Sequence, residues 1–429
     1  MKYFLSIILF LSVSFTISAQ NFDNHFIDKT LRVDYVFSGD NNSQIVALDQ
    51  LSQLPKWAGR RHNLPDLLID GNGHIKMYRL ADGKLIYADA FSTLFQEWQV
   101  TDEAQSLRKS FENTFLLPYP KEKVEVEVSL RDRKGNYIVA IKHAIDPADI
   151  LIKKTSLQSI PRYSLIHQGG AVETCINVAI LAEGFTASEM DKFREYARIT
   201  VEQILGHAPF VKLKDKFNFY AVETVSANTG VSVPRQNKWL DTAFGSHFDT
   251  FYSDRYLTTT NVKDIHNAIA GVPYGHIIIL ANTNEYGGGG ILNAYTLTTT
   301  GHPDFKPVVV HEFGHSFAGL ADEYYYETGD VLDQTYSHDI EPWEQNITTL
   351  IDFRSKWKDM LMQNTPVPTN ITEADKYKIG VFEGAGYSVK GIYRPTPDCR
   401  MKTNTSKEFC PVCQRAIERL VKFYTEQKK

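Results

Sequence analysis

Two histidines four residues apart, with a glutamate directly after the first, stand in His311-Glu312-Phe313-Gly314-His315, the stretch of this sequence best suited to chemistry. On a helix, positions i and i+4 lie one turn apart on one face, so both imidazoles reach a single zinc ion. Glu312 then leans over the open coordination position and is read as the general base, not a ligand. A catalytic zinc needs a third protein ligand. Gly319 offers the route to it, because a left-handed residue there ends the helix and turns the chain back. Asp322 is the best placed carboxylate, with Glu323 as its neighbour and Glu341 or Glu344, farther on, as alternatives. The expected metal set is therefore His311, His315 and Asp322 around one catalytic Zn2+. Phe313 and Phe317 share a helical spacing that turns one face inward and leaves the other to a cleft.

Downstream, Tyr393-Arg394-Pro395-Thr396-Pro397-Asp398-Cys399-Arg400-Met401 reads as a turn ending in a methionine, which makes Met401 the candidate apolar floor beneath the metal. Tyr393 is the candidate donor to a developing oxyanion, set against 22 tyrosines whose default role is structural. The run Gly287-Gly288-Gly289-Gly290 reads either as a place where a peptide backbone adds to a strand or as a loop.

These residues need elements to hold them. Cys175 to Leu181 and Gly275 to Ala281 are nearly continuous apolar runs, as buried strands are, and Ser188-Glu189-Met190-Asp191 opens a helical pattern reaching about Leu205. With a strand-like piece around Ala294 to Leu297, they build an α/β layer. Before it, the pattern is short and alternating: Thr30 to Phe37, Ile75 to Leu80, Lys84 to Tyr87 around Asp82-Gly83, Val124 to Leu130 and Tyr137 to Ile141. Half-buried strands must cover one another's apolar faces, so a β-sandwich is expected there. Leu151 to Val172 reads as the connection. The expected organisation is 1–19 signal peptide, 20–166 β-sandwich and 167–429 catalytic domain, an α+β multidomain class.

The first residues carry one lysine, an apolar stretch to about Ile17 and the small-residue end Ile17-Ser18-Ala19, which reads as a signal peptide cleaved after Ala19. Localisation is then secreted, periplasmic or cell envelope, with no further apolar run of spanning length. At 429 residues the chain exceeds what one core serves, and a net charge of −5 without a basic run disfavours nucleic acid. Cys175, Cys399, Cys410 and Cys413 make an even count that favours disulfides in an exported chain, with Cys399 to Cys410 or Cys413 closing the shortest loop. A structural zinc is the rival reading. It needs a fourth ligand near the last three, and no histidine stands nearby.

The stretch from His311 to Tyr324 resembles the metzincin pattern His-Glu-x-x-His-x-x-Gly-x-x-His or Asp, except that Gly319 and Asp322 each fall one residue later. That shifted version, together with Cys399-x-Met401, Phe409-Cys410-Pro411-Val412-Cys413, Gly184-Phe185-Thr186 and the glycine run, resembles the IgA-peptidase-type family of bacterial metallopeptidases. The resemblance implies a metzincin-like zinc-peptidase domain and an exported endopeptidase acting on protein or peptide substrates. The competing class is a non-catalytic zinc-containing surface protein that holds protein or glycan, and Glu312 discriminates, since a structural zinc needs no such base. Oligomeric state is not legible.

Overall fold

The computed structural model describes residues 21–155, 160–326 and 336–427, so the expected leader lies outside the described residues. A helical turn α1 (Phe22–His25) leads into β1 (Phe26–Asp40), β2 (Ser43–Leu54), β3 (Gly73–Arg79), β4 (Leu85–Phe91), α2 (Leu94–Trp98), β5 (Lys109–Pro120), β6 (Val124–Arg131), β7 (Tyr137–Ile145) and β8 (Lys153–Lys154). They form two four-stranded sheets, ordered β5-β1-β2-β8 and β4-β3-β6-β7. The sheets face each other as alternation requires. Phe37 of one lies 6.1 Å from Phe91 of the other, and the Tyr35 hydroxyl bonds His143 Nε2 at 2.6 Å. The turns expected at Gly83 and Gly135 are present, with φ of +68° and +84° that glycine adopts without strain.

A third sheet follows. Its strands β9 (Tyr163–Gln168), β10 (Ile176–Glu183), β11 (Phe217–Val222), β12 (His276–Ala281), β13 (Gly288–Ile291) and β14 (Tyr295–Thr299) are ordered β13-β14-β12-β10-β11-β9. The inner four run parallel, and β9 and β13 are antiparallel edges. Strand β9 crosses the expected boundary at residue 166, so the connection into the second part is itself a strand of its sheet.

Helix α3 (Met190–Gly206), the short α4 (Val262–Ala268), α5 (Phe305–Ala318), the hairpin β15 (Phe382–Ala385) and β16 (Ser388–Arg394), and α6 (Pro411–Thr425) complete the chain. Every residue of β10 is buried, which explains its unbroken apolar run. Val178, Ile180 and Ala182 join the core under α3, α5 and α6, while Ala179 and Leu181 join the core shared with the N-terminal sheets. The N-terminal part is therefore packed onto one face of the third sheet. Polar ties cross the same boundary: Arg32 Nη1 donates to Asn267 Oδ1 at 2.8 Å, and Asn293 Nδ2 to Ala90 O at 2.7 Å.

The cysteines depart from the expected disulfides. All four are free: Cys175 donates to Asp215 O at 3.5 Å, and Cys399 and Cys413 keep their Sγ atoms 3.8 Å apart, both within reach of a buried carboxylate. Among the described residues no helix is long and apolar enough to cross a membrane.

Candidate metal centre and active site

Helix α5 carries the two histidines. Its inner face is fixed by Phe313 and Phe317, whose rings stack at 5.0 Å, and by Phe210, 5.8 Å from Phe313. The opposite face leaves His311, Glu312 and His315 only partly buried. The helix ends at Gly319 in the left-handed conformation, φ +59°, where its N–H donates to His315 O at 3.0 Å. That turn does two jobs. It sends Asp322 back to the histidines, and it brings the Leu320 carbonyl to His315 Nδ1 at 2.6 Å. His311 Nδ1 is likewise held by Arg400 O at 3.0 Å.

With each Nδ1–H donating to a carbonyl, both Nε2 atoms present lone pairs to the same point. They lie 3.0 Å apart, and Asp322 Oδ1 is 3.0 Å from His311 Nε2 and 3.2 Å from His315 Nε2. Bonds of about 2.0–2.1 Å in a tetrahedral zinc site imply donor separations of about 3.3 Å, close to this triangle. Three electron-pair donors at such range repel unless a cation lies among them. Asp322 Oδ1 is buried and otherwise has no hydrogen-bond partner, as an atom reserved for a metal would be.

The same convergence sets the electrostatics. Burial lowers the His315 pKa, but the Asp322 charge more than offsets it and pushes it up to about 9. Burial raises Asp322, and the two imidazoles override it and hold the carboxyl well below the usual range. For Glu312 burial wins over the attraction of His311 and His315, so its carboxyl is raised and suits a proton acceptor.

Asp322 is thus brought to the histidines. Glu341 and Glu344 are not: Glu341 accepts from Thr349 Oγ1 and Asp352 N, and Glu344 from the Tyr336 hydroxyl. Tyr393, the expected oxyanion donor, has no contact with these groups among the hydrogen bonds of the described residues. It lies half-buried on β16, paired across the hairpin with Glu383, and Tyr387 reaches the centre, its hydroxyl donating to Asp322 Oδ2 at 2.5 Å. Tyr387 sits in the β15–β16 hairpin with φ +68°, and no spacing rule in the sequence marks it.

Met401 is fully buried beneath α5, and a Cβ at Gly314 would stand 2.8 Å from its Sδ. A glycine in mid-helix, costly by about 1 kcal/mol, is explained by that approach. Gly288 to Gly290 of the glycine run lie in the edge strand β13, and Gly287 lies in the loop before it. A Cβ at Gly290 would meet Glu312 O at 2.3 Å, and one at Gly288 would meet Glu312 Oε1 at 2.8 Å, so these glycines let the strand lie against α5. The outer side of Gly288 bridges to Tyr256, which removes that point from any added peptide strand.

The N-terminal part also comes within electrostatic range of this centre. Glu97 on α2 accepts a hydrogen bond from the Tyr256 hydroxyl, its pKa is pushed up to about 7 by burial, and it feels the charges of His315, Glu312 and Asp322. No local pattern in the sequence marks Glu97, which is distant along the chain and enters only through domain packing.

Residues 165–377 and 371–421 match the family described as IgA Peptidase M64, and residues 21–141 match the Peptidase M64 N-terminus. The chain belongs to the IgA peptidase M64 family. No curated protein matches it. As an M64 peptidase it acts on peptide bonds.

Proposed function

We propose that this M64 peptidase is an exported zinc-dependent endopeptidase with a metzincin-like catalytic domain, cutting proteins outside the cytoplasm or in the cell envelope. The observation that carries the reading is the triangle of His311 Nε2, His315 Nε2 and Asp322 Oδ1, with Glu312 on the same helix face. When bound there, zinc would supply a Lewis acid that acidifies a water and polarises the scissile carbonyl. Glu312 takes the proton of the attacking water and delivers it to the leaving amine, and its raised pKa favours the first of these transfers. His311 and His315 are locked in one tautomer by Arg400 O and Leu320 O, and Tyr387 fixes the free oxygen of Asp322. Met401 packs against Gly314 and supports the helix from beneath.

Export rests on the leader-like residues 1–19. The reading is tested with the mature chain and a library of peptides blocked at both ends. Internal cleavage, abolished by a chelator and restored by zinc, is expected. Blocked peptides left intact while unblocked controls are trimmed from their free termini, or cleavage insensitive to chelation, would contradict it.

A further inference from the structure

A second group of metal-ligating side chains lies behind the active site. Glu323, Cys399, Cys410 and Cys413 are all buried, and their ligand atoms lie within 4.8 Å of one another. Cys399 Sγ and Cys413 Sγ are 3.8 Å apart, and Glu323 Oε1 is 3.1 Å from Cys413 Sγ and 3.9 Å from Cys410 Sγ. Backbone N–H groups aim at the sulfurs: Met401 N and Cys410 N at Cys399 Sγ, 3.4 and 3.2 Å away, and Cys413 N at Cys410 Sγ, 3.5 Å away. Such donors stabilise sulfur as thiolate. Glu323 Oε1 accepts from Asn346 Nδ2 at 2.9 Å, while Oε2 is buried without a partner. A disulfide between any two of the three cysteines would leave the third thiol unused and Glu323 Oε2 buried without a hydrogen-bond partner.

We propose that Glu323, Cys399, Cys410 and Cys413 hold a structural zinc ion separate from the catalytic one. Zinc–sulfur bonds of about 2.3 Å in a tetrahedron imply sulfur separations of about 3.8 Å, the spacing observed between Cys399 and Cys413. Four protein ligands leave no open position, which assigns the ion to structure rather than to turnover. Three thiolates and a carboxylate exceed the charge of Zn2+, and the fold answers with buried Arg394, whose charge acts on Glu323, and buried Arg400, whose charge acts on Cys399. Glutamate is the fourth ligand that the cysteine spacing alone does not reveal.

The position gives the ion a task. Glu323 follows Asp322, and its N–H donates to Met401 O at 2.8 Å. Cys399 precedes Arg400, whose carbonyl orients His311, and Met401, which packs against Gly314 of the helix that carries the histidines. The proposed zinc would clamp together two segments that each carry part of the active site.

The test uses the mature full-length chain, purified without reductant. Metal analysis should find two zinc ions in the wild type and one in the His311→Ala/His315→Ala variant, whose zinc X-ray absorption should be dominated by sulfur at about 2.3 Å. Should that variant fail to fold, the wild type alone decides. After denaturation in chelator without reductant, all four cysteines should alkylate. A disulfide among Cys399, Cys410 and Cys413, or a wild type that saturates at one zinc, would overturn the proposal.

Discussion

His311, His315 and Asp322 turn three electron-pair donors toward one point, and each is held there by a hydrogen bond from the atom it does not offer. For the histidines that atom is Nδ1, fixed by backbone carbonyls; for Asp322 it is Oδ2, fixed by the Tyr387 hydroxyl. Outer hydrogen bonds of this kind are worth about 10–100-fold in metal affinity. Tyr387→Phe should therefore weaken zinc binding at least about tenfold in a chelator competition, with the fold unchanged by circular dichroism. An unchanged affinity would make Tyr387 a packing residue only. The convergence of these three residues was legible, because four-residue helical spacing and a left-handed glycine are local facts. Tyr387 and Glu97 were not, since each arrives from a distant element, and Tyr393 was favoured only by its closeness to the turn at Met401.

Elements were legible where periodicity was clean. Strand β10 and helix α3 follow their apolar patterns closely, whereas β2 and β5 were missed: β2 is partly exposed with irregular alternation, and β5 contains Pro118 and Pro120. The start of α3 shows how polar residues set a boundary. Glu189 accepts from Thr186 N at 2.9 Å, Thr229 Oγ1 at 2.8 Å and Asn282 Nδ2 at 3.0 Å, closing a capping box and tying the helix to the loop after β12. Burial raises its pKa, but these donors prevail and pull it from 4.5 to about 2. A depressed carboxyl stabilises the fold above its unfolded pKa and loses that contribution as pH falls through the folded value. Glu189→Gln should cost about 1 kcal/mol in urea denaturation at neutral pH, and the difference from wild type should shrink as pH falls from 4.5 toward about 2. A difference that holds constant across that range would assign the cost to shape rather than charge.

At the scale of the whole molecule, the two parts read from the sequence share one core. Ala179, Leu181, Ile279 and Leu297 of the third sheet pack with Phe37, Phe91 and Tyr35 of the N-terminal sheets, and Glu97 meets Tyr256. The change in strand pattern near residue 166 was visible, but not the packing that joins the parts. Each fully buried aliphatic side chain on that face contributes about 1.5–3 kcal/mol. A chain beginning at Arg162 should therefore aggregate or bind a hydrophobic dye. A soluble, cooperatively melting and active fragment would show that the N-terminal part is dispensable. The central claim, that Glu312 acts as base beside a metal held by His311, His315 and Asp322, is met most directly by measuring zinc content and cleavage of blocked peptides in wild type, Glu312→Ala and Asp322→Ala. Glu312→Ala should keep its zinc and lose at least about a hundredfold in kcat, while Asp322→Ala should lose the catalytic zinc. Near-normal turnover in Glu312→Ala, or full zinc occupancy in Asp322→Ala, would contradict the account.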